Sequence, residues 1–184
     1  MMEQKKSEWR EWMKAIVVAV LLAGGIRYFI FAPIIVDGYS MMPTLHNHER
    51  MIVNKLAYKI GAPHRFDIIV FHAEAGRDYI KRIIGLPGDR IEYRNDTLYV
   101  NGKPYEEPYL AEAKKQVAYG PLTEPFTLKE LTGRSTVPKG YLFVMGDNRR
   151  FSKDSRHIGF IPMSKVVGKA SIVYWPLQDA RIVK

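Results

Sequence analysis

Two residues in this sequence have the types and the settings needed for nucleophilic catalysis, Ser40 and Lys81. Ser40 lies in Gly-Tyr-Ser-Met-Met-Pro-Thr at residues 38–44, a segment with the glycine and proline of a tight turn. Lys81 lies in Tyr-Ile-Lys-Arg-Ile-Ile-Gly at residues 79–85, an otherwise apolar run with the composition of a strand. A serine becomes a useful nucleophile when a neighbouring base takes its proton, and a buried lysine with a lowered pKa can be that base. The pair therefore predicts a serine hydrolase with a lysine base.

Taken singly, each residue has a more ordinary explanation. A serine in a glycine-containing turn usually bonds its own backbone, and a lysine in a strand usually points into solvent. The strand period argues against the second explanation. If Ile80 and Arg82 face one side of the sheet, Lys81 faces the other with Tyr79 and Ile83. That apolar setting disfavours a charged ammonium group.

A third polar cluster, Gly-Asp-Asn-Arg-Arg-Phe-Ser-Lys-Asp-Ser-Arg, occupies residues 146–156. It has two readings, a solvated loop or a polar network that supports an active site through an Asp–Arg pair. Metal chemistry is not indicated, because His46 and His48 have no acidic cluster or HExxH motif beside them. We therefore expect no metal and no cofactor. No histidine lies in a context typical of a catalytic base, which leaves lysine as the candidate.

The composition limits the class of protein. The 184 residues suffice for one catalytic domain with an appendage, and the formal net charge is +9. This charge suits anionic membrane lipids or nucleic acid, but the basic residues are scattered and no nucleic-acid-binding motif is present. We expect a membrane surface and no nucleic acid as the partner. The absence of cysteine excludes disulfides and thiol chemistry.

The N-terminal segment reads as a membrane anchor. Residues 1–14 are polar and basic, and residues 15–36 are apolar apart from Arg27. These 22 residues exceed the roughly 20 needed to span a bilayer if the arginine reaches the outer headgroups. The basic flank predicts a cytoplasmic N-terminus with residues 37–184 outside as the catalytic domain, on the outer face of the cell membrane.

The rival interpretation is a cleavable signal peptide with Ala-Gly-Gly at residues 23–25 as its cleavage site. We prefer an uncleaved anchor because apolar sequence resumes after the arginine and runs directly into the serine turn. Both interpretations export the rest of the chain.

The exported part is predicted to be mainly β, a partly closed barrel or sandwich. Short β-branched and aromatic runs alternate with turn signals, two of which are Asn-Asp at 95–96 and Asn-Gly at 101–102. The predicted strands are residues 51–53, 67–71, 79–84, 90–93, 97–100, 140–145 and 166–174. Residues 103–138 are richer in proline and mixed charge and predict a less regular insertion.

The three segments in this order, behind an anchor, resemble bacterial type I signal peptidases of the small single-anchor kind found in Gram-positive bacteria. Residues 38–45 resemble the nucleophile motif of that family, residues 79–89 its general-base motif, and residues 146–156 its third motif. The resemblance covers nearly the whole chain. It implies a membrane-anchored serine endopeptidase that removes signal peptides from exported preproteins after a small residue, at sites of the Ala-x-Ala type.

Carried over residue by residue, the resemblance implies Ser40 as nucleophile and Lys81 as general base. It implies that Ser152 orients the lysine amine and that Asp154 and Arg156 form a structural ion pair. Some relatives have a serine two residues before the nucleophile as an oxyanion donor. This chain has Gly38 there, so only a backbone or water donor remains at that position.

The resemblance further implies shallow apolar substrate pockets, with an extended peptide lying beside residues 34–38 and 78–81. The residues that match the pocket walls are Ile34, Val36, Met41, Leu45, Tyr79 and Ile80. It implies signal peptides as substrates and the secretion translocase as a candidate partner. Two other classes stay open at this point. One is a non-catalytic, membrane-anchored basic β-module, and the other is a self-cleaving Ser-Lys repressor-type protease, which would need a DNA-binding domain.

Overall fold

A computed structural model describes residues 2–73 and 76–183 of the chain. After the first helix, most of the regular structure is strand and the remaining helices are short. The helices are α1 (Met2–Phe29), α2 (Ala57–Ile60), α3 (Ala111–Gln116), α4 (Leu128–Thr132) and α5 (Ser155–Ile158). Turns of 3₁₀ helix lie at Pro108–Leu110, Met163–Lys165 and Leu177–Asp179.

The strands form two antiparallel sheets. The strands are β1 (Phe31–Ile35), β2 (Arg50–Asn54), β3 (Ile68–His72), β4 (Asp78–Gly85), β5 (Ile91–Arg94), β6 (Thr97–Val100), β7 (Lys103–Tyr105), β8 (Phe126–Thr127), β9 (Tyr141–Met145), β10 (Ile161–Pro162), β11 (Val166–Trp175) and β12 (Arg181–Ile182). The eight-stranded sheet runs β1-β2-β11-β3-β4-β9-β10 with β12 paired to β11, and the four-stranded sheet runs β7-β6-β5-β8. The predicted mainly β class is confirmed. Within the described part of the chain the strand path is open, so the sheet does not close into a barrel.

The predicted hairpin turns lie where the sequence placed them. Asn95 and Asp96 have φ of 48° and 57° and join β5 to β6, and Asn101 and Gly102 have φ of 53° and 80° and join β6 to β7. Left-handed residues at both turn positions match the twist of an antiparallel pair, and asparagine, aspartate and glycine tolerate that conformation best. The turn chemistry therefore fixes the register of the smaller sheet.

The anchor interpretation expected the apolar residues 15–36 to form a single helix, but they do not. Helix α1 ends at Phe29 and β1 begins at Phe31, pairing with β2 from Phe31↔Asn54 to Ile35↔Arg50. Pro33 prevents a helix from continuing through this run, since proline lacks the N–H for a helix and disfavours helical backbone at the preceding residue. Strand β1 lies at the sheet edge, where a proline is tolerated.

Among the described residues, no helix combines the length and the apolar composition needed to cross a membrane. The side chain of Arg27, expected at the outer headgroups, lies outside the described residues.

Residues 103–138 lie outside the eight-stranded sheet. They contribute β7 and β8 to the smaller sheet and carry the short helices α3 and α4. Helix α4 has a capping box, in which Thr127 Oγ1 accepts from the Glu130 N–H and the Glu130 side chain accepts from the Thr127 N–H. The segment is thus tied to β5 and β6 instead of standing apart.

Apolar side chains from both sheets bury the site's framework. One buried cluster includes Met41, Leu45, Met51 and Val53, so the turn that carries Ser40 packs on the larger sheet. Another cluster, with Tyr93 among its members, joins β4 and β9 to the smaller sheet. Apolar packing therefore holds both the turn around Ser40 and strand β4, although the two lie far apart in the sequence.

Candidate active site

The structure brings Ser40 and Lys81 together. Lys81 Nζ donates to Ser40 Oγ over 2.8 Å and to the Ile80 carbonyl oxygen over 2.9 Å. The Lys81 side chain is almost fully buried, with 4% of its surface exposed. Burial lowers the pKa of Lys81 to about 8, and the more distant charges of Asp154 and Asp147 only partly oppose this. A neutral amine is therefore accessible near neutral pH, and it can accept the serine proton.

Strand β4 positions the lysine as its sequence predicted. Lys81 pairs with Ile69 of β3, and its ammonium nitrogen lies 5.2 Å from the centre of the Tyr79 ring. Residues two apart in a strand face the same side, so Tyr79 and Ile83 supply the apolar surroundings of the amine. These surroundings produce the desolvation that lowers the pKa of the lysine.

The turn around Ser40 needs a glycine for its backbone conformation. Gly38 has φ of +98°, a region that side chains strongly disfavour, and its N–H donates to Asn47 Oδ1 over 2.9 Å. The Gly38 N–H is the backbone donor that remains where some relatives have a serine, and it is thus already bound to Asn47. Among the described residues, the Ser40 N–H has no acceptor. It is the backbone donor available for an oxyanion at this turn.

The loop at 146–156 holds this turn from the opposite side. The Asn148 N–H donates to the Ser40 carbonyl oxygen over 3.0 Å, and Asn148 Nδ2 donates to the Tyr39 carbonyl oxygen over 3.1 Å. Gly146 packs so closely that a β-carbon there would overlap the Ser40 carbonyl oxygen and Ser152 Oγ. The cluster is therefore a structural support for the site, and the solvated-loop reading is wrong for these residues.

Ser152 does not bond the lysine amine in this structure, although the resemblance implied that contact. Its hydroxyl is buried and makes no hydrogen bond of ordinary geometry among the described residues, although it helps to hold the pKa of Asp154 below its ordinary value. The amine's donors instead go to Ser40 and Ile80. The role of Ser152 in orienting the lysine amine therefore stays a prediction.

Asp154 and Arg156 form the expected ion pair, with Arg156 Nε and an Nη donating to the two carboxylate oxygens over 2.9 and 2.8 Å. Asp154 also accepts from the Gly146 N–H over 2.9 Å. Burial by itself would raise the pKa of Asp154, but the arginine and the backbone donor hold it below its ordinary value. The carboxylate thus stays charged and fixes the start of the loop.

Two buried arginines complete the support and were not predicted as site residues. Arg82 binds the Asp147 carboxylate through Nε and an Nη, over 2.9 and 2.7 Å, and Thr44 Oγ1 donates to the same carboxylate over 2.5 Å. This contact joins the residue after Lys81 to the loop and to the nucleophile motif. The aspartate and the arginine each lie in one of the motifs described above, but the spacing of the motifs does not show that the two residues pair.

Arg149 forms the second buried contact, donating to Glu107 Oε1 over 2.6 Å, to the Tyr93 hydroxyl over 2.5 Å and to the Gly146 carbonyl oxygen over 3.0 Å. Burial alone would raise the pKa of Glu107, yet Arg149 holds it below its ordinary value. Nothing in the local sequence of Glu107 marked it, since it lies in the segment interpreted as an irregular insertion.

A cleft of about 560 Å³ opens over the serine and the lysine. Of the predicted pocket residues, Ile34, Val36, Met41, Tyr79 and Ile80 line it. Leu45 does not line the cleft, because it is fully buried in the apolar cluster beneath the turn. Phe151 and Lys153 line it as well and were not predicted.

Two strand edges face this cleft without a strand partner in the described part of the chain. Strand β1 pairs only with β2, and β9 pairs with β4 only from Arg82 onward, so residues 78–81 keep one edge open. Open backbone edges can bind an extended peptide as an added strand. In residues 2–73 and 76–183, no cluster of three histidine, aspartate or glutamate side chains is placed to hold a metal ion.

A serine hydroxyl bonded to a buried lysine, in a cleft with open strand edges, is typical of a serine hydrolase that binds an extended chain. A family model described as "Signal peptidase, peptidase S26" matches residues 9–175. Signal peptidase I of Bacillus caldolyticus is 52% identical over 179 residues, which cover 97% of each chain. The chain therefore belongs to the signal peptidase family, peptidase S26, and is an enzyme of the peptidase class.

Two further relatives agree. Signal peptidase IB of Staphylococcus aureus is 43% identical over 178 residues, covering 95% of this chain and 93% of that protein. A crystal structure of a signal peptidase I from Enterococcus faecalis V583 is 49% identical with a TM-score of 0.57, and the match covers 60% of this chain and 97% of that one.

Proposed function

We propose that this protein is a membrane-anchored serine endopeptidase that removes signal peptides from exported preproteins after a small residue, using Ser40 and Lys81. The observation that carries the proposal is the 2.8 Å hydrogen bond between Lys81 Nζ and Ser40 Oγ, together with a lysine pKa lowered to about 8 by burial. The names of the relatives support signal peptides as the substrate class.

The chemistry follows from the geometry of these groups. Neutral Lys81 takes the Ser40 proton as Oγ attacks the scissile carbonyl carbon, and the Ser40 N–H stabilises the negative oxygen that forms. The lysine then gives that proton to the departing amine, which leaves an acyl ester on the serine. A water molecule, deprotonated by the same lysine, attacks the ester and releases the new carboxyl end.

Specificity for small residues follows from the walls of the cleft. Ile34, Val36 and Ile80 carry branched side chains next to the two open strand edges. A peptide added as a strand directs alternate side chains toward these walls, so the positions one and three before the cut face the same surface. Shallow apolar walls accept alanine there and exclude larger groups by overlap.

The membrane location is a proposal that rests on sequence pattern. Helix α1 carries the basic residues of 1–14 at its start and leads into β1 and the cleft after one residue. We propose that the chain is held at the cytoplasmic membrane by this segment, with its N-terminus inside and the cleft outside, near anionic lipids. A site held there meets substrates that are tethered to the same surface.

Cleavage of a preprotein with an Ala-x-Ala site tests the catalytic proposal. We expect Ser40→Ala and Lys81→Ala each to lower kcat/KM by roughly 10⁴-fold, because removing either member of a nucleophile–base pair disables both. Ser164→Ala and Lys165→Ala, at exposed positions of the same residue types, are the matched controls. Full activity in Lys81→Ala would exclude the lysine as base.

Labelling of single cysteines tests the membrane proposal, since the chain has no cysteine of its own. In intact cells, a membrane-impermeant maleimide should label Ser164→Cys and not Ser7→Cys, while permeabilised cells should show both. Labelling of both positions in intact cells, or a chain shortened by about 25 residues, would contradict an inside N-terminus on an uncleaved anchor.

A further inference from the structure

A second cavity of about 460 Å³ lies next to the cleft. The cleft takes Tyr39, Ser40 and Met41 from the nucleophile turn, and the second cavity takes the next two residues, Met42 and Pro43. Both cavities are also lined by Phe151, whose side chain is 77% exposed. We call the second cavity the exit groove and define its walls as Met42, Pro43, Ala113, Val117, Ala118 and Phe151.

The exit groove has a mainly apolar lining, and its charged lining residues have partners. Asp147 is bound by Arg82 and Thr44, and Glu112 pairs with Lys115 over 2.7 Å. The Arg150 guanidinium donates to the carbonyl oxygens of the segment after α3, including that of Pro121 over 2.9 Å. Apart from the exposed Gln116 amide, the remaining contacts are chiefly those of methyl, thioether and ring groups.

The two walls of the groove are held at a fixed spacing. One wall is the loop with Phe151, and the other is α3 with the residues that follow it. Arg149 bonds Glu107, which directly precedes the 3₁₀ turn leading into α3, through a fully buried ion pair. Arg150 ties the same loop to the far end of that wall. A groove built this way needs little rearrangement to bind a chain.

We propose that the exit groove binds the first residues after the scissile bond and favours an apolar side chain there. This inference rests on the proposed function, since it concerns the same peptide. A peptide whose residues before the cut line the cleft must continue past Ser40, and a strand advances about 3.3 Å per residue. The groove begins two residues from Ser40 along the turn and shares Phe151 with the cleft, so the continuing chain reaches it within its first residues.

Three substrates that differ only in the second residue after the cut test this inference, with Leu, Ser or Lys at that position. For the unaltered enzyme we expect kcat/KM to be about fivefold higher for Leu than for Lys, as expected for one apolar contact in a half-open groove. Val117→Asp and Ala118→Asp should each reverse this order and favour Lys. The Ser substrate is the reference for each enzyme, and a urea unfolding curve shows separately that each variant is folded.

Ile60→Asp is the matched control, an equally drastic change at an exposed apolar residue of α2 that lines neither cavity. It should leave the ratio of Leu to Lys unchanged. A ratio that is equal in the unaltered enzyme and both aspartate variants would overturn the exit groove while leaving the peptidase intact. Absence of cleavage of all three substrates by the unaltered enzyme would instead overturn the proposed function and, with it, this inference.

Discussion

Two consecutive basic residues on opposite faces of strand β4 have different surroundings. Lys81 and Arg82 are both buried, with 4% and 1% of their surfaces exposed. Arg82 meets the Asp147 carboxylate in a two-point contact. Lys81 meets only neutral oxygens, those of Ser40 and Ile80, as hydrogen-bond acceptors. Both side chains are thus buried, and they differ because only Arg82 contacts a carboxylate.

That difference decides what each residue can do. A guanidinium stays charged at any physiological pH, and its planar donors suit a carboxylate, so Arg82 acts as a fixed structural link. An ammonium without a carboxylate in contact loses its charge more easily, and the pKa of Lys81 falls to about 8 because of burial. One face of the strand therefore carries a structural cation, and the other carries the lysine proposed as the base.

The largest expected effect separates the two residues by unfolding free energy. Arg82→Met should lower it by about 3–5 kcal/mol, because it leaves the Asp147 carboxylate buried without its cation. Lys81→Met should leave it unchanged or slightly higher, since an apolar side chain of similar length replaces a desolvated amine. Urea unfolding at pH 7 measures both, and Arg134→Met, at an exposed position, is the control expected within about 0.5 kcal/mol of the starting value.

If Lys81→Met destabilises the fold as much as Arg82→Met, then the lysine is a structural cation and the comparison fails. Loss of cleavage in Lys81→Met would then have an ordinary explanation in misfolding. Retained stability with lost cleavage is the combination expected of a base.

The two cations also show what the sequence could predict. Strand alternation placed Lys81 with Tyr79, and the structure confirms that they share a face. The hairpin turns were equally local, because asparagine, aspartate and glycine tolerate the required backbone. Pairing Arg82 with Asp147 needs a contact across 65 positions of sequence, and no local pattern encodes such a distance.

Other differences have similar physical reasons. The resemblance implied Leu45 as a pocket wall, but an apolar residue type fits a wall and the core beneath it equally well, and Leu45 lies in the core. The apolar run to Val36 looked continuous, but Pro33 and the β-branched residues beside it favour a strand. Glu107 was missed because a buried carboxylate is recognisable only by its partner, Arg149.

The second prediction concerns the pH dependence of cleavage. Because the base must be neutral and its pKa lies near 8, kcat/KM should rise about tenfold per pH unit below that value and level off above it. A preprotein assay at pH 5 to 9 measures this. A flat profile over this range would contradict a lysine base.

The smallest expected effect tests whether Ser152 acts in catalysis, as proposed for Lys81, or only in the structure, like Arg82. Its hydroxyl is buried without a partner, whereas the nearby Ser155 Oγ accepts from the Val144 N–H over 2.9 Å. Ser155→Ala should therefore lower the unfolding free energy by about 1 kcal/mol with little effect on kcat, because it leaves a buried donor unpaired. Ser152→Ala removes an unpaired group and should leave stability unchanged. If that hydroxyl orients the lysine amine during catalysis, kcat should nevertheless fall by about tenfold, since a misaligned base transfers its proton less efficiently. A variant with full kcat would place Ser152 with the structural residues of the loop, because the only remaining role would be packing against Gly146.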